Sequence, residues 1–488
     1  MSNSSTRGPG DPRPSRASRS ARRPVDVTLV LAVVLPLVAA LALFLTNPGF
    51  GTSYFHPPKT SPVSRAAVVC PGAVGTGDKL GVAAAGAGTV SSADQPTSRG
   101  SQAAKPDSKA SQKSVPTTNT DLPSQGVGVV SAGKAPVLVT ASGSAAPGLT
   151  GTRSSTDPVA AAACVSPRGD QWFTGVGAGP THDSFVILVN PNPGPAIADL
   201  TVLSDTGPMD VPALQGIAVP GNASQEIDLG AVMPTQSPLA LHAVVSRGQV
   251  AVAVRDRASK LVGGATDEDW LPAQASPGHH DLLLGLAPGD GTRQLTIANP
   301  GDRELTATLR LVSGDSTFTP EDSPTIDLSP QSVSRVDLGK ILSSSAAKGA
   351  LGVQVVANGP VTASLRSLGG GDVSLISRSP SIGTPTSAVV PAGSKQLLLG
   401  GATRVGAATV VTHNAAGDQL SSKRVAISPQ QGVSVSLPDG AVRVDVTPDG
   451  TTFRGSVMMT TKSGAAVVQL QRQMLTSRVP FVKPGLPR

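Results

Sequence analysis

The six histidines, His56, His182, His242, His279, His280 and His413, are the first place to look for chemistry in this chain. A histidine beside a carboxylate can act as a general base whose ring is oriented by its partner. His182-Asp183 supplies the two residue types side by side. On a strand, neighbouring side chains point to opposite faces, so this pair cannot share a proton. His279-His280 follows Pro277-Gly278 and reads as a solvated pair in a connector. No HExxH, no GxSxG elbow and no phosphate-binding P-loop accompanies any of the six.

The other motifs lead to the same place. Asp267-Glu268-Asp269 offers carboxylate oxygens of the kind calcium takes, but lacks the Asp-x-Asp-x-Asp-Gly spacing that wraps a loop around the ion. GVGAG at 175–179 is glycine-rich with no helix behind it to face a phosphate, so it reads as a turn. Arg168-Gly169-Asp170 spells an adhesion tripeptide, a match short enough to arise by chance. Sugar-binding faces present flat aromatics, and aromatics are only 2% of this chain. Trp172 and Trp270 both stand at repeat entrances, where they are candidates for ligand contact or for packing at a domain seam. No catalytic residue, cofactor or metal site is expected, and the chain reads as non-enzymatic.

The elements that would have to position such residues are mostly strands. With 54 Gly and 44 Pro among 488 residues, the composition implies many turns, small aliphatic cores and some unfolded segments. The formal net charge is +7, but residues 1–26 hold Arg7, Arg13, Arg16, Arg19, Arg22 and Arg23 against Asp11 and Asp26. The rest of the chain is nearly balanced and carries no basic stripe with interleaved aromatics, which argues against a nucleic-acid partner.

Residues 27–45, VTLVLAVVLPLVAALALFL, contain no charge. As a helix they would cover about 28 Å, close to a bilayer core. Pro36 is tolerated in membrane helices. The arginines on the N-terminal side place residues 1–26 in the cytoplasm, as a disordered tail, and the chain beyond the span outside. A signal-anchor at 27–46 is the leading expectation. A cleaved signal peptide, with Ala40-Leu41-Ala42 as its site, and a buried core helix are the alternatives. Cys70 and Cys164 then lie in an oxidising compartment and are expected to form one disulfide. Closing so long a loop contributes up to about 4–5 kcal/mol in the chain-entropy model.

Beyond the span the chain divides by pattern. Residues 47–171 read as a β-rich module bracketed by the cysteines, with a Ser/Thr/Pro/Lys-rich disordered insertion at 91–125. Repeats follow. FVILV leads to Asn190-Pro191 and then to Ala198, Leu200 and Val202, while QLTIA leads to Asn299-Pro300 and then to Ala307, Leu309 and Leu311. Ile227-Asp228-Leu229-Gly230 recurs as Val336-Asp337-Leu338-Gly339, and AVAVRDR (251–257) as TASLRSL (362–368). A weaker third copy starts at KQLLLGGA, with Gly400-Gly401 in place of Asn-Pro. Period-two alternation with turn signals every 8–12 residues predicts tandem immunoglobulin-like β-sandwiches at 172–262, 278–370 and 388–475, then a tail at 476–488.

VVCPG (68–72), PVLVTASGSAAPGLTGTR (136–153), CVSPRGDQWFTG (164–175), SFVILVNPNPGPAIADLTVLSDTGP (184–208) and TDEDWLPAQASPG (266–278) together resemble a family of uncharacterised actinobacterial exported proteins. That resemblance implies an anchored, exported, all-β protein and brings no activity with it. The expected function is therefore structural or scaffolding: a single-pass membrane protein of the cell envelope, with an envelope protein or cell-wall polymer as partner. The alternative is an accessory or binding subunit for envelope glycan or lipid assembly. Exposed tryptophans beside a groove would favour the second reading and buried ones the first.

Overall fold

In Ala196–Ser204, Ala196, Ala198, Leu200 and Val202 are buried while Ile197, Asp199 and Thr201 are not, so the alternation in the sequence becomes one buried face. Strands of this kind account for nearly all of the architecture. The computed structural model describes residues 27–46, 59–100, 116–259, 266–369 and 372–479. They fall into two units, one containing the helix Val27–Thr46 and the other running from Thr60 to Arg478.

The second unit consists of four consecutive modules, the first and fourth each built from two separate sheets, the second around one ten-stranded sheet and the third around one eight-stranded sheet. One run of four strands has the same order in every copy. In the first module it is Val159–Ala163, Thr150–Thr156, Lys79–Ala83, Val127–Val130. In the second it is Asp267–Leu271, Ala251–Ala258, His182–Asn190, Ala223–Asp228. In the third it is Asp372–Ser377, the second half of Ala350–Gly369, Thr292–Asn299, Ser332–Asp337. In the fourth it is Ala465–Gln469, Phe453–Thr460, Lys395–Gly400, Val433–Ser436. The Cys-bracketed segment is thus a copy of the same module, which its sequence did not reveal. Cys70 and Cys164 are disulfide-bonded inside its core.

The first-named strand of each run is an inner strand. The four inner strands meet in a cycle, first with second, second with third, third with fourth and fourth with first. The arrangement is propeller-like, in place of the expected row of separate immunoglobulin-like sandwiches. Side-chain seams close each step. Trp270 packs with Val69, Ala160 and Phe185 between the first two modules, and Trp172 with Leu203, Ala298 and Val333 between the second and third. Leu282, Val312 and Leu398 join the third to the fourth. Gln471 donates to the Cys164 carbonyl at 2.6 Å, joining the fourth to the first.

The inner strands also move the predicted boundaries. The segments left outside the sandwiches, 263–277 and 371–387, contain Asp267–Leu271 and Asp372–Ser377. These strands are buried on both faces, Asp372–Ser377 at every residue, so period-two alternation cannot mark them. The insertion is narrower than expected, because Gly88–Asp94, Thr97–Arg99 and Thr117–Leu122 are strands. Residues 101–115, like 1–26, 47–58 and 480–488, lie outside the described residues.

Edge strands leave backbone N–H groups unpaired, and at the axis two aspartates satisfy them. Asp269 accepts from Ala161 N at 3.4 Å and Leu375 N at 3.2 Å, reaching the first and third modules from the second. Asp372 accepts from Ala465 N at 2.9 Å, joining the third to the fourth. Its carboxylate lies so close to the Cα of Gly464 that a Cβ there would overlap it. Burial pushes the Asp269 carboxyl well above the ordinary range, opposed by its backbone donors.

The Asn-Pro corners are a second satisfied buried feature. The Nδ2 of Asn190 donates to Gly194 O at 2.7 Å and Val219 O at 3.1 Å. That of Asn299 donates to Arg303 O at 2.7 Å and Leu328 O at 3.1 Å. Both asparagines are fully buried. The repeated Asn is a hairpin-corner clamp.

The helix Val27–Thr46 is 20 residues of almost wholly apolar sequence, with Pro36 inside. Its described side chains run only from Leu31 to Leu43, with Leu45. Among the described residues no helix is long and apolar enough to cross a membrane.

Candidate functional site

Between the second and third modules lies a cleft of 630 Å³, whose lining includes Gly177, His182, Gln294, Arg335 and Arg366. Gly177 belongs to the predicted glycine turn at 175–179, of which all but Gly179 is part of the strand Asp170–Ala178. His182 opens the next strand, and Asp256 lies across from Ser184 in the paired strand Ala251–Ala258. Along that strand Val252, Val254 and Asp256 are all buried. Alternation therefore delivers a carboxylate to the face otherwise reserved for valine.

Asp256 is completely buried and gathers three donors. His182 Nε2 lies 2.6 Å from its Oδ2, the Ser184 hydroxyl donates to the same oxygen at 2.9 Å, and Arg366 Nε donates to Oδ1 at 3.0 Å. Burial pushes the Asp256 carboxyl up, but His182 and Arg366 outweigh it and hold the group below its ordinary value. Asp256 is therefore an anion with a fixed cationic neighbour.

A serine, a histidine and an aspartate in contact invite comparison with a catalytic triad, and their order rules it out. In a triad the histidine stands between serine and carboxylate and takes the serine proton. Here the carboxylate stands between the other two, and the Ser184 oxygen accepts from Gly177 N at 2.9 Å. The hydroxyl spends its proton on Asp256, so this cluster has no activated nucleophile.

Arg366 is less completely satisfied. Its Nη2 is shielded from solvent and has no hydrogen-bond partner. Arg335, on the strand Ser332–Asp337, also lines the cleft and is more exposed. Partial desolvation, and then the like charge of Arg366, hold the Arg335 guanidinium below its ordinary value, with Asp205 opposing.

The remaining sequence candidates lie elsewhere. Trp172 and Trp270 are both buried, at the seams described above. Trp172 stacks on His242 with ring centroids 4.1 Å apart, and His242 Nε2 lies 2.8 Å from Asp170 of the Arg-Gly-Asp triplet. His182 contacts Asp256 and not Asp183, whose carboxylate accepts from Arg257 at 2.8 Å. His279 and His280 are exposed on a strand, not in a connector. His413 lies 3.3 Å from Asp445, beside Arg443, which bonds the Ala84 carbonyl of the first module. The carboxylates of 267–269 diverge: Glu268 faces Arg255 at 3.6 Å while Asp269 turns to the axis. Among the described residues no group of three His, Cys, Asp or Glu is placed to hold a metal ion.

Asp256, Arg335 and Arg366 were not singled out in the sequence. For Asp256 the available signal was a charge at the inward position of the apolar alternation in AVAVRDR; Arg366, in TASLRSL, shares the face of Thr362 and Ser364 and carries no such signal.

Residues 124–438 match a family of unknown function, DUF5719. No curated protein matches the sequence. The match spans well over half of the chain, which therefore belongs to this family.

Proposed function

We propose that this DUF5719 protein is a non-enzymatic component of the cell envelope, of the actinobacterial exported type, with a structural or scaffolding role. Val27–Thr46 is its single membrane span, and the β ring stands on the extracytoplasmic side. What supports this reading is the charge-free sequence of residues 27–45, in which Leu35 is 63% and Leu45 73% exposed. Each square ångström of such surface left in water costs about 25 cal/mol, and a bilayer removes that cost. The N-terminal arginines set the orientation, and the Cys70–Cys164 disulfide suits an oxidising compartment. Four modules stapled at every seam and at the axis make a stiff body, which is what a spacer or scaffold needs.

The test is alkaline carbonate extraction of membranes carrying the full chain, followed by protease treatment of intact spheroplasts. The chain is expected to stay in the pellet and its β unit to be digested from outside. Release by carbonate, or protection from external protease, would sink the reading.

A second reading, an accessory or binding subunit for envelope glycan or lipid assembly, is favoured by the cleft with its incompletely paired arginine. Crosslinking in living cells separates the two. Co-purification of a glycosyltransferase or of wall polymer supports the binding subunit, and recovery of the chain alone supports the scaffold.

A further inference from the structure

We propose that the cleft between the second and third modules binds a sugar bearing an oxyanion, phosphate or carboxylate, with the anionic group held by Arg366 and Arg335. This inference concerns the cleft alone and stands whether or not the chain is membrane-anchored.

The charge of the cleft is unevenly placed. Arg366 and Arg335 both line it, close enough for each to feel the other's charge. Two guanidinium groups facing one cavity repel, and an anion between them removes the repulsion. The carboxylates of the same lining have other neighbours: Asp290 acts on Arg293, and Asp267 on Asp372. Asp256 offsets part of the charge of Arg366 but is shared with His182 and Ser184.

The hydrogen-bond count agrees. A guanidinium has five N–H donors in a planar fork suited to oxyanions. Arg366 is 8% exposed, uses Nε on Asp256, and has its buried Nη2 unpaired. A buried donor without an acceptor is unfavourable, and an incoming oxyanion supplies one. Arg335 has a charged neighbour, Asp205, but its side chain forms no hydrogen bond among the described residues. Arg335 is therefore free to turn N–H groups toward a ligand, and Arg366, held by Asp256, keeps one donor unpaired.

The rest of the lining selects the body that carries the anion. Thr181, Thr235, Ser237, Thr292 and Gln294 offer hydroxyls and an amide, and no Phe, Tyr or Trp lines the cleft. Such a surface hydrogen-bonds hydroxyls, and its imidazole, His182, is tied to Asp256 in place of a large ring for a planar base to stack on, which favours a sugar over a nucleotide. A volume of 630 Å³ admits one or two sugar rings.

The experiment is isothermal titration of the full chain in detergent, in a phosphate-free buffer, with glucose 6-phosphate, glucuronate, glucose and inorganic phosphate. At least one anionic sugar is expected to bind tenfold or more tightly than glucose and than inorganic phosphate, and the stronger of the two identifies the anion. Arg335→Gln should weaken that binding at least tenfold with the thermal midpoint unchanged. Arg366→Gln should also weaken it, but that change can disturb Asp256, so Arg335→Gln is the deciding variant. No binding by either anionic sugar, binding equalled by glucose or inorganic phosphate, or binding indifferent to Arg335→Gln would overturn the proposal.

Discussion

The axis and the cleft both bury ionisable side chains between modules, and they treat them differently. At the axis, the two oxygens of Asp269 take the backbone N–H groups of Ala161 and Leu375, and Asp372 takes that of Ala465. In the cleft, Asp256 is equally well served, but its partner Arg366 keeps a shielded nitrogen without an acceptor. A closed set of hydrogen bonds serves the fold. An open one, in a cavity large enough for a ligand, is where binding is to be sought.

The largest effect should come from breaking the cleft's own ion cluster. Asp256→Ala leaves Arg366 as a buried cation and strips His182 and Ser184 of their acceptor. A loss of about 3–5 kcal/mol is expected, read from the urea midpoint of the full chain in detergent. Asp269→Ala, at the axis, leaves two buried N–H groups unpaired and should cost about 2–4 kcal/mol. Asp269→Asn keeps one acceptor oxygen and turns an amide toward the other N–H, so it should fall between wild type and Asp269→Ala. If Asp269→Ala proved as mild as a surface change, the axis would not be the staple described above.

A smaller effect separates the regions by pH. Burial raises the Asp372 carboxyl from 3.8 to about 6, with Asp267 adding to it and the backbone donors opposing. The folded state then binds the proton more tightly than the unfolded chain. The contribution is complete below pH 3.8 and is lost as pH rises through about 6. Asp256 shifts the other way, and its contribution is lost as pH falls below the ordinary carboxylate value. Asp372→Asn should therefore flatten the fall in thermal midpoint between pH 4 and 7, leaving the shares due to the other carboxyls that burial raises, Asp269, Asp183 and Asp281, the last to about 6. An unchanged pH profile in Asp372→Asn would mean that the axis carboxylate does not titrate in that window.

How far these regions could be read from the sequence follows from how each is buried. One-faced strands such as Ala196–Ser204 alternate and were legible, as was the Asn-Pro corner, because asparagine clamps its turn by local bonds. The two cysteines were legible as a pair. The inner strands were not, since VAAAA and DVSLIS lie between neighbours on both faces and carry no period. Without them the ring could not be inferred, and three sandwiches in a row looked sufficient. The first module hid its kinship because a long Ser/Thr/Pro/Lys-rich stretch interrupts it. For the cleft, His182 drew notice for the wrong neighbour. Its partner Asp256 is more than seventy residues away in sequence, and only strand pairing brings them together.

The smallest expected stability effect sharpens the comparison most. Arg335 lines the cleft, is exposed, and its side chain makes no hydrogen bond among the described residues. Arg335→Gln removes a like charge facing Arg366 and opens no cavity, so its effect on the urea midpoint should stay within about 0.5 kcal/mol. Asp269 does not line the cleft, and its replacement should change stability without touching ligand affinity. The two variants thus predict opposite patterns, one losing affinity with its stability kept, the other losing stability with affinity kept in the molecules that remain folded. If Arg335→Gln instead destabilised the chain by as much as Asp269→Ala, the guanidinium would belong to the structural network. The distinction between a closed axis and an open cleft would then fail at the residue on which it most depends.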